Sequence, residues 1–149
     1  MFSRNKKNDE YVIIIGCGRL GANLANTLSD DECNVLIIDD DKNSFDKLSP
    51  SYGGLTLTGD ATDIDILIEA QINKATVVVS VTNDDNTNIM VAQIVKELFK
   101  VKRVITRLYD PDRKCVYQEF GIDTICPAIL SVQQIHTILD NMNKEVISI

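Results

Sequence analysis

The chain has 149 residues, about the size of one domain. Its 44% hydrophobic and 25% charged side chains are an ordinary globular balance that excludes a disordered polymer. The net charge of −7 works against a nucleic acid as the main partner, and the longest apolar runs, at 11–15 and 35–38, are too short to cross a bilayer. Residues 1–10 are polar, and no apolar stretch follows Arg4, Lys6 and Lys7. They read as a flexible N-terminal segment and not as a signal peptide. The four cysteines, Cys17, Cys33, Cys115 and Cys126, form no CxxC pair. They read as free thiols of a reducing compartment rather than a zinc or redox site.

In chain order, YVIII at 11–15 is a strand buried on both faces and stopped by Gly16. Residues 19–29 set Leu20, Asn23, Leu24, Ala25 and Leu28 around a short helix. NVLIID at 34–39 is a second buried strand, closed by three aspartates. A weak helix covers 43–48, ended by Pro50, Gly53 and Gly54. LTLT at 55–58 is a third strand. There follow a helix at 64–70, a strand at 75–81, a longer helix at 84–99 and a strand at 102–107. A helix at 110–120 opens with Pro111, where a missing N–H costs little. A strand at 122–125 and a helix at 128–142 complete the series. Strict alternation predicts an α/β fold, a Rossmann-type doubly wound parallel sheet of six strands with helices on both faces. Right-handed crossovers make its order 3-2-1-4-5-6.

The chemistry concentrates at strand ends. Gly16-Cys17-Gly18-Arg19-Leu20-Gly21 follows a buried strand and opens a helix, the context that raises a GxGxxG run above chance. Gly16 permits the tight turn, Gly18 lets a pyrophosphate reach the backbone, and Gly21 lets the helix pack closely. The helix start offers free N–H groups and the positive end of its dipole. Asp39 stands 23 positions after Gly16, the offset of a ribose partner. A carboxylate there accepts from the ribose hydroxyls and repels a 2′-phosphate, favouring NAD, ATP, ADP or AMP over NADP. Asp40 is a weaker candidate for the same role, and Asp40 or Asp41 could equally cap the next helix. Asp60, Ala61 and Thr62 lie after the third strand, where adenine would sit; capping by Thr62 or Asp63 is the plainer alternative. Thr82 and Asn83 follow the fourth strand at the topological switch point, and Arg107 ends the fifth strand on the same edge. Arg19 could pair with a terminal phosphate or with a neighbouring subunit.

These segments, GCGRLG, IIDDDKN, GDATD, VVVSVTNDDNTN, RVITR and FGIDTICP, resemble the N-terminal domain that regulates potassium conductance, known as RCK, KTN or TrkA-N. The resemblance runs from about Tyr11 to Leu139. It implies a cytoplasmic regulatory subunit, peripheral to the inner face of the membrane through a potassium transporter or channel. It also implies binding of NAD(H) or ATP, ADP or AMP, and assembly into dimers or rings. By that resemblance Gly16, Gly18, Arg19, Leu20 and Gly21 hold phosphates and Asp39 the ribose, while Asp60, Ala61, Thr62, Thr82 and Asn83 border the rest. The nucleotide-binding domain is expected over 11–140, with 141–149 a tail and no RCK C-terminal domain.

Two helices suggest assembly. Apolar side chains cover roughly 200° of the helix at 89–99, counting about 100° per residue. Ile89, Ala92, Val95 and Phe99 make one face; Met90, Ile94 and Leu98 make another that would meet a neighbour. The last helix carries Ile129, Val132, Ile135, Leu139 and Met142, to dock on its own sheet or on a partner. A small NAD-dependent oxidoreductase, or a redox sensor unrelated to ion transport, is the alternative. An oxidoreductase needs an acid–base residue and a substrate pocket. His136, the one histidine, falls on the last helix, and Tyr109 and Tyr117 are followed at the fourth position by Arg113 and Gly121, not lysine. The expected function is therefore regulatory, with no catalytic or metal site and no nucleic-acid partner.

Overall fold

The computed structural model describes residues 9–113 and 117–147. Six parallel strands form one sheet: β1 (Tyr11–Ile15), β2 (Asn34–Asp39), β3 (Leu55–Thr58), β4 (Val77–Ser80), β5 (Arg103–Arg107) and β6 (Asp123–Ile125). Their spatial order is β3-β2-β1-β4-β5-β6, the expected one. Helices α1 (Arg19–Asp30), α2 (Ile64–Glu69) and α3 (Asp85–Glu97) connect them, and α4 (Pro127–Ile147) follows β6. Short 3-10 turns occupy Lys42–Lys47, Ile72–Lys74 and Pro111–Arg113.

Side chains alternate across a strand, so the central strands supply two cores. Ile13, Ile15, Leu36, Ile38 and Val78 meet Leu67, Val91, Ala92 and Val95 on one side. Val12, Ile14, Val35, Ile37 and Val79 meet Ala22 and Ala25 on the other. Ile14 pairs in register with Ile37 and with Val79, so β1 is locked at the centre of the sheet. Each such side chain removed from water stabilises the fold by about 1.5–3 kcal/mol. Double burial explains why these strands are unbroken apolar runs. It also fixes the carboxyl ends of β1, β2 and β4 side by side.

The second half departs from expectation in three places. Of the stretch read as one helix over 110–120, the described residues form a 3-10 turn at Pro111–Arg113 and are helical at 117–118, before Gly121 at φ +71°. Local side-chain acceptors shape the start of this segment: Asp110 Oδ1 takes Asp112 N at 3.0 Å, and Asp85 takes Tyr109 N at 2.9 Å. Cys115 lies outside the described residues, as do residues 1–8 of the N-terminal segment; Cys17, Cys33 and Cys126 are buried, and no disulfide joins them among the described residues. On α3, Ile94 packs against the core, leaving Met90 and Leu98 as the exposed part of the second face. Helix α4 runs on to Ile147 through residues read as a tail, and it does not dock on its own sheet. Every side chain from Leu130 to Val146 is exposed, with Val132 at 65% and Val146 at 73%.

Candidate functional site

A cleft of about 440 Å³ opens where β1, β2 and β4 end. Its floor is the glycine turn, and the three glycines there differ in kind. Gly16 has φ +103°, and a Cβ on it would stand 2.8–2.9 Å from the Val81–Thr82 backbone. Only glycine fits that turn. Gly21, in the first turn of α1, lies against the Gly16 carbonyl, with which a Cβ would collide. Gly18 has open space instead: Asn83 Oδ1, 4.0 Å away, is the nearest atom a Cβ would meet. Gly18 is also the N-cap of α1 and carries no side-chain cap. The first N–H groups of this 12-residue helix thus have no side-chain acceptor. Uncapped amides at the positive helix end beside an open space can receive an anion.

Asp39 ties this turn to β2. One carboxylate oxygen accepts from Cys17 N at 2.7 Å and the other from Asp41 N at 2.9 Å. A carboxylate has about four lone-pair sites, so capacity for two further donors, such as ribose hydroxyls, is left. Asp40 is exposed beside it; desolvation first, then the charges of Asp39 and Asp60, push its carboxyl above the usual range. Asp60 is held below that range by the Thr62 hydroxyl, 2.7 Å from Asp60 Oδ1, and by the Thr62 amide at 2.9 Å. Asp41 caps the Lys42–Lys47 turn through Asn43 N, and Asp84 caps α3 through Asn86 N.

Gly16, Gly18, Asp39, Asp40, Asp60, Ala61, Thr82 and Asn83 all line the cleft. Arg19, Leu20, Gly21, Thr62 and Arg107 are not part of its wall. Arg19 and Leu20 are exposed at the start of α1, and Thr62 is turned to Asp60. Arg107, 8% exposed, aims Nη2 back at the carbonyls of Val81 and Thr82, 2.9 Å from each.

Cys17, Asp41, Ser44, Lys47, Gly59, Asp84 and Thr87 line the cleft without having been singled out. Asp41 was visible as a helix cap, whereas Asp84 was read only as the start of the helix at 84–99. Cys17 sat inside the glycine motif; its thiol points to Ser44 O at 3.3 Å and is pushed up by burial and Asp39, against the opposing effect of Lys47. Ser44 and Lys47 carried no signal, because they arrive only when the turn after β2 folds over the cleft. Five aspartates against one lysine leave this wall rich in acceptors. It suits hydroxyl and amine donors, while the α1 amides suit an anion. Among the described residues, no group of three or more His, Cys, Asp or Glu is arranged to hold a metal ion.

The sequence profile of the TrkA-N domain matches residues 12–127. The Trk system potassium uptake protein TrkA of Streptomyces coelicolor is 43% identical over 115 residues, which cover 77% of this chain and 52% of that protein. Potassium channel protein 1 of Methanocaldococcus jannaschii is 31% identical over 145 residues, covering 95% of this chain and 43% of that one. The chain thus spans about half the length of these relatives or less. Among solved structures, the GsuK channel bound to NAD superimposes with a TM-score of 0.76 at 26% identity, over 90% of this chain and 24% of that one.

Proposed function

The chain belongs to the TrkA-N domain family, and from that premise we propose that it is a nucleotide-binding regulator of a potassium uptake transporter or channel, not an enzyme. The ligand is NAD(H) or an adenine mononucleotide (ATP, ADP or AMP). The observation that carries this reading is the uncapped start of α1 over the open space at Gly18, next to the Asp39 carboxylate. Phosphates meet the α1 amides, the ribose meets Asp39, and the base lies towards Asp60 and Ala61. Asp39 repels a 2′-phosphate, so NADP is disfavoured. A solved relative bound to NAD supports the ligand class, and relatives named as potassium uptake and potassium channel proteins support the partner.

No described helix is long and apolar enough to cross a membrane; in this reading the potassium transporter or channel is the membrane component. Output comes through assembly into a homodimer or larger ring. Val132, Ile135, Leu139, Met142 and Val146 repeat at alternating spacings of three and four along α4, all exposed. That is the seam pattern of paired helices. A nucleotide that binds one arrangement of the paired chains better than another shifts the population between them. Light scattering and small-angle X-ray scattering of the full chain, free and with NAD, NADH, ATP and ADP, test this. A homo-oligomer whose profile changes with nucleotide is expected; a monomer, or profiles identical with and without bound nucleotide, would contradict it.

A further inference from the structure

Behind the cleft lies a polar cluster that no ligand contact accounts for. Asn88 on α3 is fully buried. Its Oδ1 accepts from Ser80 Oγ at 3.2 Å, Thr82 N at 2.8 Å and Thr82 Oγ1 at 2.6 Å. Its Nδ2 donates to Thr82 O at 3.0 Å and Arg107 O at 3.1 Å. An amide has two donor hydrogens and one acceptor oxygen, so this side chain is used up inside the protein. Arg107 holds the same loop from β5 through Val81 O and Thr82 O, and its guanidinium lies 4.9 Å from the centre of the Tyr109 ring. The segment 81–83 is therefore gripped from α3 and from β5, while its other side abuts Gly16.

The bonds continue away from the cleft. Asp85 accepts from Tyr109 N at 2.9 Å and Asp110 N at 3.2 Å, and Arg113 Nη1 donates to Asn86 Oδ1 at 3.0 Å. Leu108 N donates to Ile125 O at 2.8 Å, and Leu130 N to Cys126 O at 3.1 Å. A bonded route thus leads from Thr82, in the cleft wall, to the root of the exposed helix α4. Asn88, Arg107 and Asp85 are not in that wall. Val91 and Val95 fill neighbouring core positions of α3 with apolar side chains, so packing alone does not call for an amide at Asn88. Burying one is tolerable only because all its partners are in place.

We propose that Asn88 and Arg107 are positioning residues that couple the cleft to α4. A nucleotide that reorders residues 81–83 shifts the segment 108–113 through Arg107 and Asp85, and with it β6 and the start of α4. This deepens the regulatory reading above and rests on it. By linkage, pairing of α4 must feed back on nucleotide affinity by the same factor. The contiguous bonded structure supplies the physical link that such coupling needs.

The test is hydrogen exchange of the full chain, free and with saturating NAD or ADP. In the unaltered protein nucleotide slows exchange at 81–88 and also at 106–113 and 122–130, by roughly fivefold or more. The Asp85→Ala variant should bind within about twofold of normal yet lose the slowing at 106–113 and 122–130. Slowing confined to 81–88 in the unaltered protein, or an unchanged pattern in Asp85→Ala, would overturn the coupling while leaving binding intact. A ligand-free arm keeps the two readings apart. Asn88→Asp, which keeps the acceptors and removes both donors, should speed exchange at 81–88 and at 106–113 together. Speeding at 81–88 alone would overturn the proposal even if neither nucleotide binds, a result that would by itself defeat only the nucleotide reading. Arg107→Lys gives the same readout should Asn88→Asp fail to fold.

Discussion

The glycine turn separates binding from folding, because Gly16 and Gly18 fail for different reasons when given a side chain. At Gly18 a Cβ would have no protein atom nearer than 4.0 Å, and φ is −82°, which alanine adopts without strain. Gly18→Ala therefore gains about 0.4–1 kcal/mol from a stiffer unfolded chain. It loses a similar amount because alanine is a poor N-cap, so stability should stay within about 1 kcal/mol of the parent. The methyl group fills the space where a pyrophosphate would approach the α1 amides. Adenine-nucleotide affinity should fall at least about tenfold, equivalent to 1.4 kcal/mol. Gly16→Ala forces φ +103° on a residue with a Cβ and drives that Cβ to 2.8 Å from Thr82 N. The strain alone costs about 1–3 kcal/mol, before the contact is relieved. Urea unfolding gives the stabilities, and isothermal titration with NAD and ADP gives the affinities. A Gly18→Ala protein that binds as tightly as the parent would refute the placement of the phosphates. A Gly16→Ala protein of undiminished stability would refute the steric account of the turn.

Asp39→Ala leaves the Cys17 and Asp41 amides without their carboxylate and should cost roughly 1.5–3 kcal/mol in urea unfolding. It should also narrow the preference for NAD over NADP, read by titration with both. Tyr52 donates its hydroxyl to Leu55 O at 2.8 Å, and burial pushes its pKa from 10.0 to about 12. The folded state therefore keeps a proton that the unfolded chain releases, so stability is full below pH 10 and declines between pH 10 and 12. Partial exposure limits the loss to no more than about 1–2 kcal/mol, and Tyr52→Phe should flatten this alkaline slope in pH-dependent melts. The double change Ile135→Asp and Leu139→Asp on α4 should weaken self-association at least about 100-fold in sedimentation velocity, with the melting of the domain core unchanged.

The sheet was legible because its cause is local. Ile13, Ile14, Ile37 and Val78 sit in runs apolar at every position, and only a strand covered on both faces needs that pattern. The glycine motif was legible for a similar reason: the turn at Gly16 and the packing at Gly21 are demands of the backbone itself. The segment after β4 was harder. Thr82 and Asn83 were assigned to the cleft by their place after the strand, and they line it. Yet much of the same segment serves structure, with Asp84 capping α3, Asp85 receiving the Tyr109 and Asp110 amides, and Asn88 bonding the loop from inside. Arg107, placed on the carboxyl edge by its position, turns inward because Val81 and Thr82 offer carbonyls there. Lys47 reaches the cleft only through a tertiary fold-back, for which spacing along the chain holds no sign. Periodicity showed that α4 has an apolar face but not which molecule covers it, since a helix bound for its own sheet and one bound for another chain bury the same residue types.

The most direct test of the central claim is thermal stabilisation of the full chain by NAD, NADH, ATP, ADP, AMP and NADP at equal concentration. A ligand at 100 times its Kd that binds only the native state adds about 2.7 kcal/mol. For a chain of this size each kcal/mol is worth roughly 2–4 °C. A rise of several degrees with at least one of the first five, and little or none with NADP, is the predicted result. No rise with any of the six would contradict the reading of this cleft as a nucleotide site.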